Sequence, residues 1–138
     1  MKPVGGLLVP IARLGAGLYL APLSPASSLV RSLAWLDTGA PISVVPFSVQ
    51  ANGLSWRRRP GVQVTWLGLT CDVGHIDIWL TDLPSSSLHG PFSILAKFPQ
   101  RDPPGPPRPV LLGLEFLLSH RASFNLPPPP QQGTIRTP

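Results

Sequence analysis

The sequence has a single cysteine, Cys71, so no disulfide can form within one chain of 138 residues. Nothing therefore requires an oxidising compartment. Pro10 and Arg13 interrupt the mostly apolar stretch 4–20, which leaves no run of the roughly 18 apolar residues that a spanning helix needs. The same interruptions argue against a secretory signal. We expect a soluble cytoplasmic protein without a membrane partner.

Charged residues are sparse, at 12% of the chain, and only six are acidic. Part of the basic excess lies in one run, Arg57–Arg59, next to Trp56. A basic run beside an aromatic residue can contact nucleic acid phosphates, but it is more often a solvated loop. Because no stripe of Lys or Arg recurs elsewhere, the loop before Pro60-Gly61 is the favoured interpretation, and no nucleic-acid partner is expected.

Metal and cofactor motifs are missing from the sequence. The three histidines, His75, His89 and His120, lack the spacing of metal ligands, and no phosphate-binding glycine loop is present. Cys71 has no arrangement typical of a nucleophile with its base and is interpreted as a strand residue. We therefore expect neither a metal nor a cofactor.

Short apolar runs separated by Gly, Pro, Ser and Asn make up most of the chain and predict a mainly β domain. The runs 62–69 and 73–80 are predicted to form a hairpin or two neighbouring strands. A brief helical turn is predicted at 46–52, and one short helix at 114–120. The other predicted strands are 7–12, 17–21, 29–36, 42–45 and 91–98.

The 20 prolines are unevenly distributed, with clusters at 99–109 and 127–130. Such segments are typical of extended or irregular chain. We expect one domain over residues 1–126, interrupted by the first cluster, and a flexible Pro-rich tail over 127–138.

One segment, Ala34-Trp35-Leu36-Asp37-Thr38-Gly39-Ala40, carries a pattern with chemical meaning. A carboxylate at the end of a buried strand lies in surroundings of low dielectric constant, where its ionisation depends on its neighbours. The hydroxyl of Thr38 can brace the loop. Gly39 lets the backbone turn tightly and leaves room for a ligand or a second chain.

This segment, continued by Pro41 and the apolar run 42–45, resembles the active-site loop of retropepsin-like aspartic proteases. The later stretch 109–117 (PVLLGLEFL) is similar to a second motif of that family, an apolar strand followed by Gly and a short helix. The resemblance covers roughly residues 7–126 and implies that 122–126 is the last strand. It implies a single-domain, closed β-barrel of the acid-protease fold with one short C-terminal helix.

The resemblance implies an aspartic endopeptidase that acts on polypeptide substrates. Asp37, Thr38 and Gly39 would be catalytic, and Ala40, Trp66 and Gly68 would contact substrate. The chemistry needs two carboxylates. Since Asp-Thr-Gly occurs once and no internal repeat is visible, the second would come from another copy of the chain in a homodimer.

The mobile hairpin that covers the substrate in such enzymes, the flap, is placed at 61–73. Trp66 would then lie near the substrate, although ordinary hydrophobic packing explains it equally well.

The sequence departs from the family pattern at two positions. Leu114 stands where an Arg is common in viral members, and Pro41 replaces its acidic partner. Because both partners are missing, no charge is left unpaired. Two alternatives stay open: a noncatalytic dimerisation or peptide-binding module of the same fold, and a small basic adaptor that uses Arg57–Arg59 and the proline segments.

Overall fold

The computed structural model describes residues 6–138. Strands hold 49% of the residues and helices 11%, so the predicted mainly β class is confirmed. The strands are β1 (Leu8–Pro10), β2 (Ala16–Leu20), β3 (Val30–Ser32), β4 (Ala34–Asp37), β5 (Ser43–Val44), β6 (Trp56–Trp66), β7 (Leu69–Asp82), β8 (Leu88–Pro99), β9 (Val110–Leu112), β10 (Ser123–Asn125) and β11 (Thr134–Arg136). The helices are a 3-10 helix (Ile11–Leu14), α1 (Phe47–Gln50) and α2 (Leu114–Ser119).

Nine strands form one mixed sheet in the order β1-β4-β9-β5-β8-β7-β2-β3, with β6 also on β7. The pairs β4–β9 and β5–β8 are parallel and the other pairs are antiparallel. Strands β10 and β11 form a separate small sheet.

The predicted closed barrel is wrong, because within residues 6–138 the sheet is open. Its first and last strands, β1 and β3, do not pair with each other. The cause is the length of β7, which pairs with β6 through its first half and with β2 through its second half, while β8 lies along its other side. The sheet therefore branches at β7 where a barrel would close.

The hairpin of β6 and β7 turns at Leu67 and Gly68, whose φ values are 50° and 75°. Two successive residues with positive φ are typical of the two-residue turns that match the twist of a hairpin. The hairpin is longer than predicted because β6 begins at Trp56. The run Arg57–Arg59 thus lies in a strand and not in a loop, although its side chains remain exposed.

Two ion pairs join the extended part of β6 to β7. Arg58 lies 3.2 Å from the carboxylate of Asp72, and Arg57 lies 3.7 Å from that of Asp77. Both pairs cross from β6 to β7, and cross-strand pairs of opposite charge support a sheet. At this exposure each adds little free energy, so they favour the register more than they stabilise the domain.

The hydrophobic core is formed by side chains that alternate along the strands of the large sheet and point to its buried face. Every second residue of β2 is buried, and so is every second residue of the later part of β7, Ile76 to Leu80, as expected for strands with one face turned away from solvent. The alternation in β7 changes phase at Val73 and Gly74, which are both buried. Trp56 stacks on Phe98 with ring centroids 3.8 Å apart, and Phe116 of α2 closes the core. No helix within residues 6–138 is long and apolar enough to cross a membrane.

The proline-rich loop 99–109 is anchored at its start. The carboxylate of Asp102 accepts hydrogen bonds from the backbone N–H groups of Phe47 (2.8 Å) and Ser48 (2.9 Å), at the first turn of α1. The side-chain amide of Gln50 donates to the carbonyl oxygen of Pro99. Asp102, which has no evident role in the sequence, therefore caps a helix more than fifty residues earlier.

The segment 127–138, expected from sequence as a loose tail, carries strand β11 and several contacts with the 3-10 helix. The guanidinium of Arg13 donates to the carbonyl oxygens of Pro127 and Gln131, both at 2.7 Å. The side-chain amide of Gln132 donates in return to the carbonyl oxygens of Ala12 and Arg13. Ile135 packs against the core.

Cys71 gives the first testable prediction. It is fully buried in β7, and burial raises the pKa of its thiol; by smaller amounts, Lys97 lowers this pKa and Asp72 raises it. The pKa of the thiol is higher in the folded state than in the unfolded state, where it is about 8.5. The thiol therefore makes its full contribution to the free energy of unfolding at pH values below the unfolded pKa. That stability is lost as the pH rises through the folded pKa.

We therefore expect the free energy of unfolding of Cys71→Ala to decline less than that of the wild type between pH 8 and pH 10. Urea titrations at several pH values measure this difference. Truncation of the side chain also removes packing, which lowers the free energy of unfolding of Cys71→Ala by the same amount at every pH. If the free energies of unfolding of the two proteins decline in parallel with pH, the prediction is contradicted.

Candidate functional site

The loop Asp37–Ala40 begins at the end of β4, which lies between β1 and β9. Asp37 is half-buried, whereas Leu36 before it is fully buried. The apolar strand thus brings the carboxylate to the boundary between core and solvent, as the sequence predicts. Ala40 turns the chain back, since its N–H donates to the carbonyl oxygen of Asp37 at 3.2 Å.

Thr38 holds the loop against the segment before β1. Its side-chain oxygen accepts a hydrogen bond from the N–H of Leu7 at 2.7 Å, and its own N–H donates to the carbonyl oxygen of Leu7 at 2.9 Å. This pair of bonds fixes the peptide that follows Asp37. The bracing role predicted for the hydroxyl is thus provided by contacts with Leu7.

Replacing Thr38 with Val removes the acceptor and leaves the N–H of Leu7 without its partner. We expect a loss of about 0.5–1.5 kcal/mol in the free energy of unfolding. Thr38→Ser keeps the hydroxyl and should stay close to the wild type. Urea denaturation compares the two variants, and equal stabilities would show that the hydroxyl does not brace the loop.

The backbone of Gly39 lies close to the Asp37 carboxylate. Its N–H donates to Oδ1 of Asp37 at 3.0 Å. A Cβ atom at position 39 would lie 3.3 Å from the same oxygen and from Cα of Gly6. A side chain here would crowd the carboxylate, so glycine keeps Asp37 accessible.

The second sequence motif lies directly beneath this loop. The N–H of Leu114, at the start of α2, donates to the carbonyl oxygen of Ala40 at 2.8 Å, and that of Glu115 donates to Pro41 at 3.0 Å. Gly113 is buried, and its N–H donates to Oγ of Ser43 at 3.0 Å. The two motifs, far apart in sequence, thus form one hydrogen-bonded unit.

Sequence reasoning missed Ser43, which is fully buried and accepts the Gly113 bond. The available signal was a hydroxyl within the apolar run 42–45. A buried polar side chain generally has a hydrogen-bond partner, so this residue could have been predicted to contact another motif.

Asp37 differs from the other carboxylates in its partners. Within residues 6–138, its Oδ2 has no hydrogen bond or ion pair, and Oδ1 binds only the adjacent Gly39. The remaining acids are engaged with neighbouring groups: Asp72 with Arg58 and Gln63, Asp77 with Arg57, Asp82 with Ser85, Asp102 with α1, and Glu115 with Leu95 and Ser119. Within residues 6–138 Asp37 therefore has a single partner, which lies in its own loop, and no bond to another side chain.

Trp66 and Gly68 lie at the tip of the β6–β7 hairpin, in the interval predicted for the flap. Arg108 of the proline-rich loop lies over the Trp66 ring, 5.8 Å from its centroid, and Lys97 donates to the carbonyl oxygen of Thr65. No hydrogen bond joins the hairpin tip to the described part of the Asp37 loop. The structure thus groups Asp37, Thr38, Gly39 and Ala40, and it leaves Trp66 and Gly68 on a separate element.

No cluster of three or more His, Cys, Asp or Glu side chains suited to a metal ion occurs in the described range 6–138. A scan against protein-family models and a search of curated proteins found no match for the chain. The geometry of the Asp37 loop is therefore the basis for a proposed function.

Proposed function

We propose that the protein is an aspartic endopeptidase of the retropepsin-like type, active as a homodimer in which Asp37 of each copy forms half of the catalytic pair. The observation that carries the proposal is the Asp37 loop. It presents a half-buried carboxylate whose Oδ2 has no partner among residues 6–138, held by Thr38 and Gly39 and hydrogen-bonded to the Gly113 motif.

In this mechanism a water molecule lies between the two Asp37 carboxyl groups, which share one proton. The ionised carboxylate accepts a proton from the water as its oxygen attacks the scissile carbonyl carbon. The protonated carboxyl of the other copy donates its proton to the carbonyl oxygen. The carboxyl that took the proton from water then gives it to the amide nitrogen, and the other carboxylate takes a proton back from a hydroxyl of the tetrahedral intermediate. The C–N bond breaks, the carboxylic acid and the amine are released, and the pair again holds one proton. Since both protonation states are needed, activity depends on the pair and not on either group alone.

A second copy is required because only one Asp-Thr-Gly is present. Apolar side chains near the loop support such a contact. Leu8, the cross-strand neighbour of Asp37, is 54% exposed, and Leu114 and Leu118 on one face of α2 are 38% and 69% exposed. Leu114 and Pro41 replace the charged pair of the family pattern, which favours an apolar contact over an ionic one.

An apolar contact of this kind predicts that the dimer persists at high salt, because screening weakens exposed ion pairs but not apolar burial. Leu118→Glu should shift the sedimentation profile toward monomer and lower activity in parallel. Leu23→Glu alters another exposed leucine (69%), outside this face, and serves as the matched control. If both variants form the dimer equally well, α2 does not take part in the dimer contact.

The alternative function is a noncatalytic dimerisation or peptide-binding module of the same fold. The loss of the charged pair at Leu114 and Pro41 favours this alternative, whereas the intact Asp37-Thr38-Gly39 opposes it. The deciding experiment measures cleavage of unfolded casein from pH 3 to pH 7, with and without pepstatin, alongside sedimentation. Pepstatin-sensitive cleavage supports the protease, and a verified dimer inactive at every pH supports the module.

A further inference from the structure

A groove of about 500 Å³ lies on the outer face of the sheet, where β2, β3, β7 and the segment leading into β8 come together. Small-molecule sites usually have volumes of this order. The groove is lined by side chains of the half-exposed face, opposite to the core-facing Ala16, Leu18 and Leu20. No residue of the Asp37 loop belongs to it, so the proposed peptidase does not explain it.

The floor of the groove is Gly17. Its cross-strand partner is Thr81, and the next partner in the same row is Leu88. A Cβ atom at Gly17 would meet Cδ2 of Leu83 at 3.5 Å, an ordinary contact, and its φ is not in the left-handed region. Neither packing nor backbone conformation therefore requires glycine. Glycine keeps the strand surface low at this point, beside the side chains of Leu83 and Thr81. Glycine in a strand otherwise weakens pairing.

The walls of the groove combine one cation with apolar side chains. Arg31, the cross-strand neighbour of Tyr19, is the charged residue of the lining. Within the described chain it makes no ion pair or side-chain hydrogen bond. Leu83 and Leu88 are 41% and 51% exposed, so they offer apolar surface to a ligand. This pattern fits a molecule with an anionic head and an apolar body.

Thr81 adds an unused polar group. Its hydroxyl oxygen is the buried side-chain N or O atom that lacks a hydrogen-bond partner in the described part of the chain. Such atoms are rare in folded proteins and unfavourable for stability. Cδ2 of Leu83 lies 3.5 Å and Cβ of Thr81 lies 3.9 Å from the position of a Cβ atom at Gly17, so both side chains border the space over Gly17. Because the hydroxyl oxygen is buried, a ligand reaches it only when the Leu83 side chain rotates away.

We propose that this groove binds a small amphipathic carboxylate, such as a medium-chain fatty acid. The carboxylate pairs with the Arg31 guanidinium and accepts a hydrogen bond from the Thr81 hydroxyl. The alkyl chain lies over Gly17 against Leu83 and Leu88. A peptide is a poorer fit, because a strand added to the free edge of β3 would lie beside the sheet and not over Gly17.

Isothermal titration calorimetry with octanoate and octanol at neutral pH tests the proposal. The wild type should bind octanoate at least about tenfold more tightly than octanol, the ratio of a single charge-assisted contact. Arg31→Gln should lower octanoate affinity to the octanol level, and Arg31→Lys should retain part of it. Arg121→Gln, which removes an exposed arginine outside the groove, is the matched control.

Three further variants separate the site from general effects on folding and from the proposed peptidase. Gly17→Val fills the floor and should abolish binding of both ligands while the circular dichroism spectrum is unchanged. Thr81→Val should weaken octanoate binding and raise the melting temperature, since it removes an unpartnered hydroxyl. Asp37→Asn should bind octanoate as the wild type does, whatever its proteolytic activity. Absence of octanoate binding at millimolar concentration, equal binding of octanol, or an unaffected Arg31→Gln would overturn the proposal.

Discussion

Asp37→Asn is expected to abolish the cleavage of unfolded casein across pH 3 to pH 7. An amide cannot take the proton from water, and the symmetric dimer loses both of its carboxylates in one substitution. Removal of a general acid–base group usually costs about 10²–10⁴-fold in rate, so the residual activity should fall below detection in an ordinary assay.

The substitution should leave the fold intact. Asparagine is nearly isosteric with aspartate, and its side-chain oxygen can still accept the hydrogen bond from Gly39. The melting temperature and the sedimentation profile should therefore match the wild type. Asp77→Asn is the matched control, because Asp77 is half-buried on β7 and pairs with Arg57 outside the Asp37 loop. If Asp37→Asn cleaves casein as fast as the wild type, Asp37 is not a catalytic residue.

The second large effect is expected at Gly113, where a methyl group has no space. A Cβ atom there would lie 2.5 Å from the carbonyl carbon of Ile42 and 2.8 Å from the carbonyl oxygen of Ala40. These are backbone atoms of the loop that follows Asp37, so they cannot move aside without displacing it. The φ of Gly113 is −89°, which any residue can adopt, so the effect is purely steric.

Gly113→Ala should therefore destabilise the domain by about 1–3 kcal/mol or more, the usual cost of overpacking. Since the loop moves with it, proteolytic activity should fall as well. Urea denaturation measures the first effect and the casein assay the second. Gly17→Ala is the control, because its Cβ meets only ordinary contacts. A Gly113→Ala variant within about 0.5 kcal/mol of the wild type would show that the two motifs are not packed as described.

Features that depend on local pattern could be predicted from the sequence. The alternation of apolar residues in β7, the helix at Leu114–Ser119 and the Asp-Thr-Gly loop after an apolar strand each follow from neighbouring residues. The start of β6 could not, because Arg57–Arg59 is a poor strand pattern alone. It pairs with β7 through Asp72 and Asp77, and that register is invisible before the strands are paired.

Long-range contacts account for the other differences between the structure and the expectations from sequence. The segment 127–138 is rich in proline, yet Arg13 and Gln132 join it to the 3-10 helix through backbone carbonyls that no sequence pattern marks. Asp102 and Glu115 bind backbone N–H groups of distant elements, and no local pattern marks these contacts. Closure of the sheet was predicted from the family resemblance, and the branch at β7 depends on the pairing of β2 and β6 with one strand.

The most direct test of the central claim is to measure casein cleavage by a fixed amount of wild-type protein while Asp37→Asn protein is titrated in. If one carboxylate comes from each copy, mixed dimers are inactive. Freely exchanging chains at a ninefold excess of the variant should then leave roughly one tenth of the activity. Activity that stays constant as the variant is added, with exchange verified by sedimentation of labelled chains, would contradict a shared site.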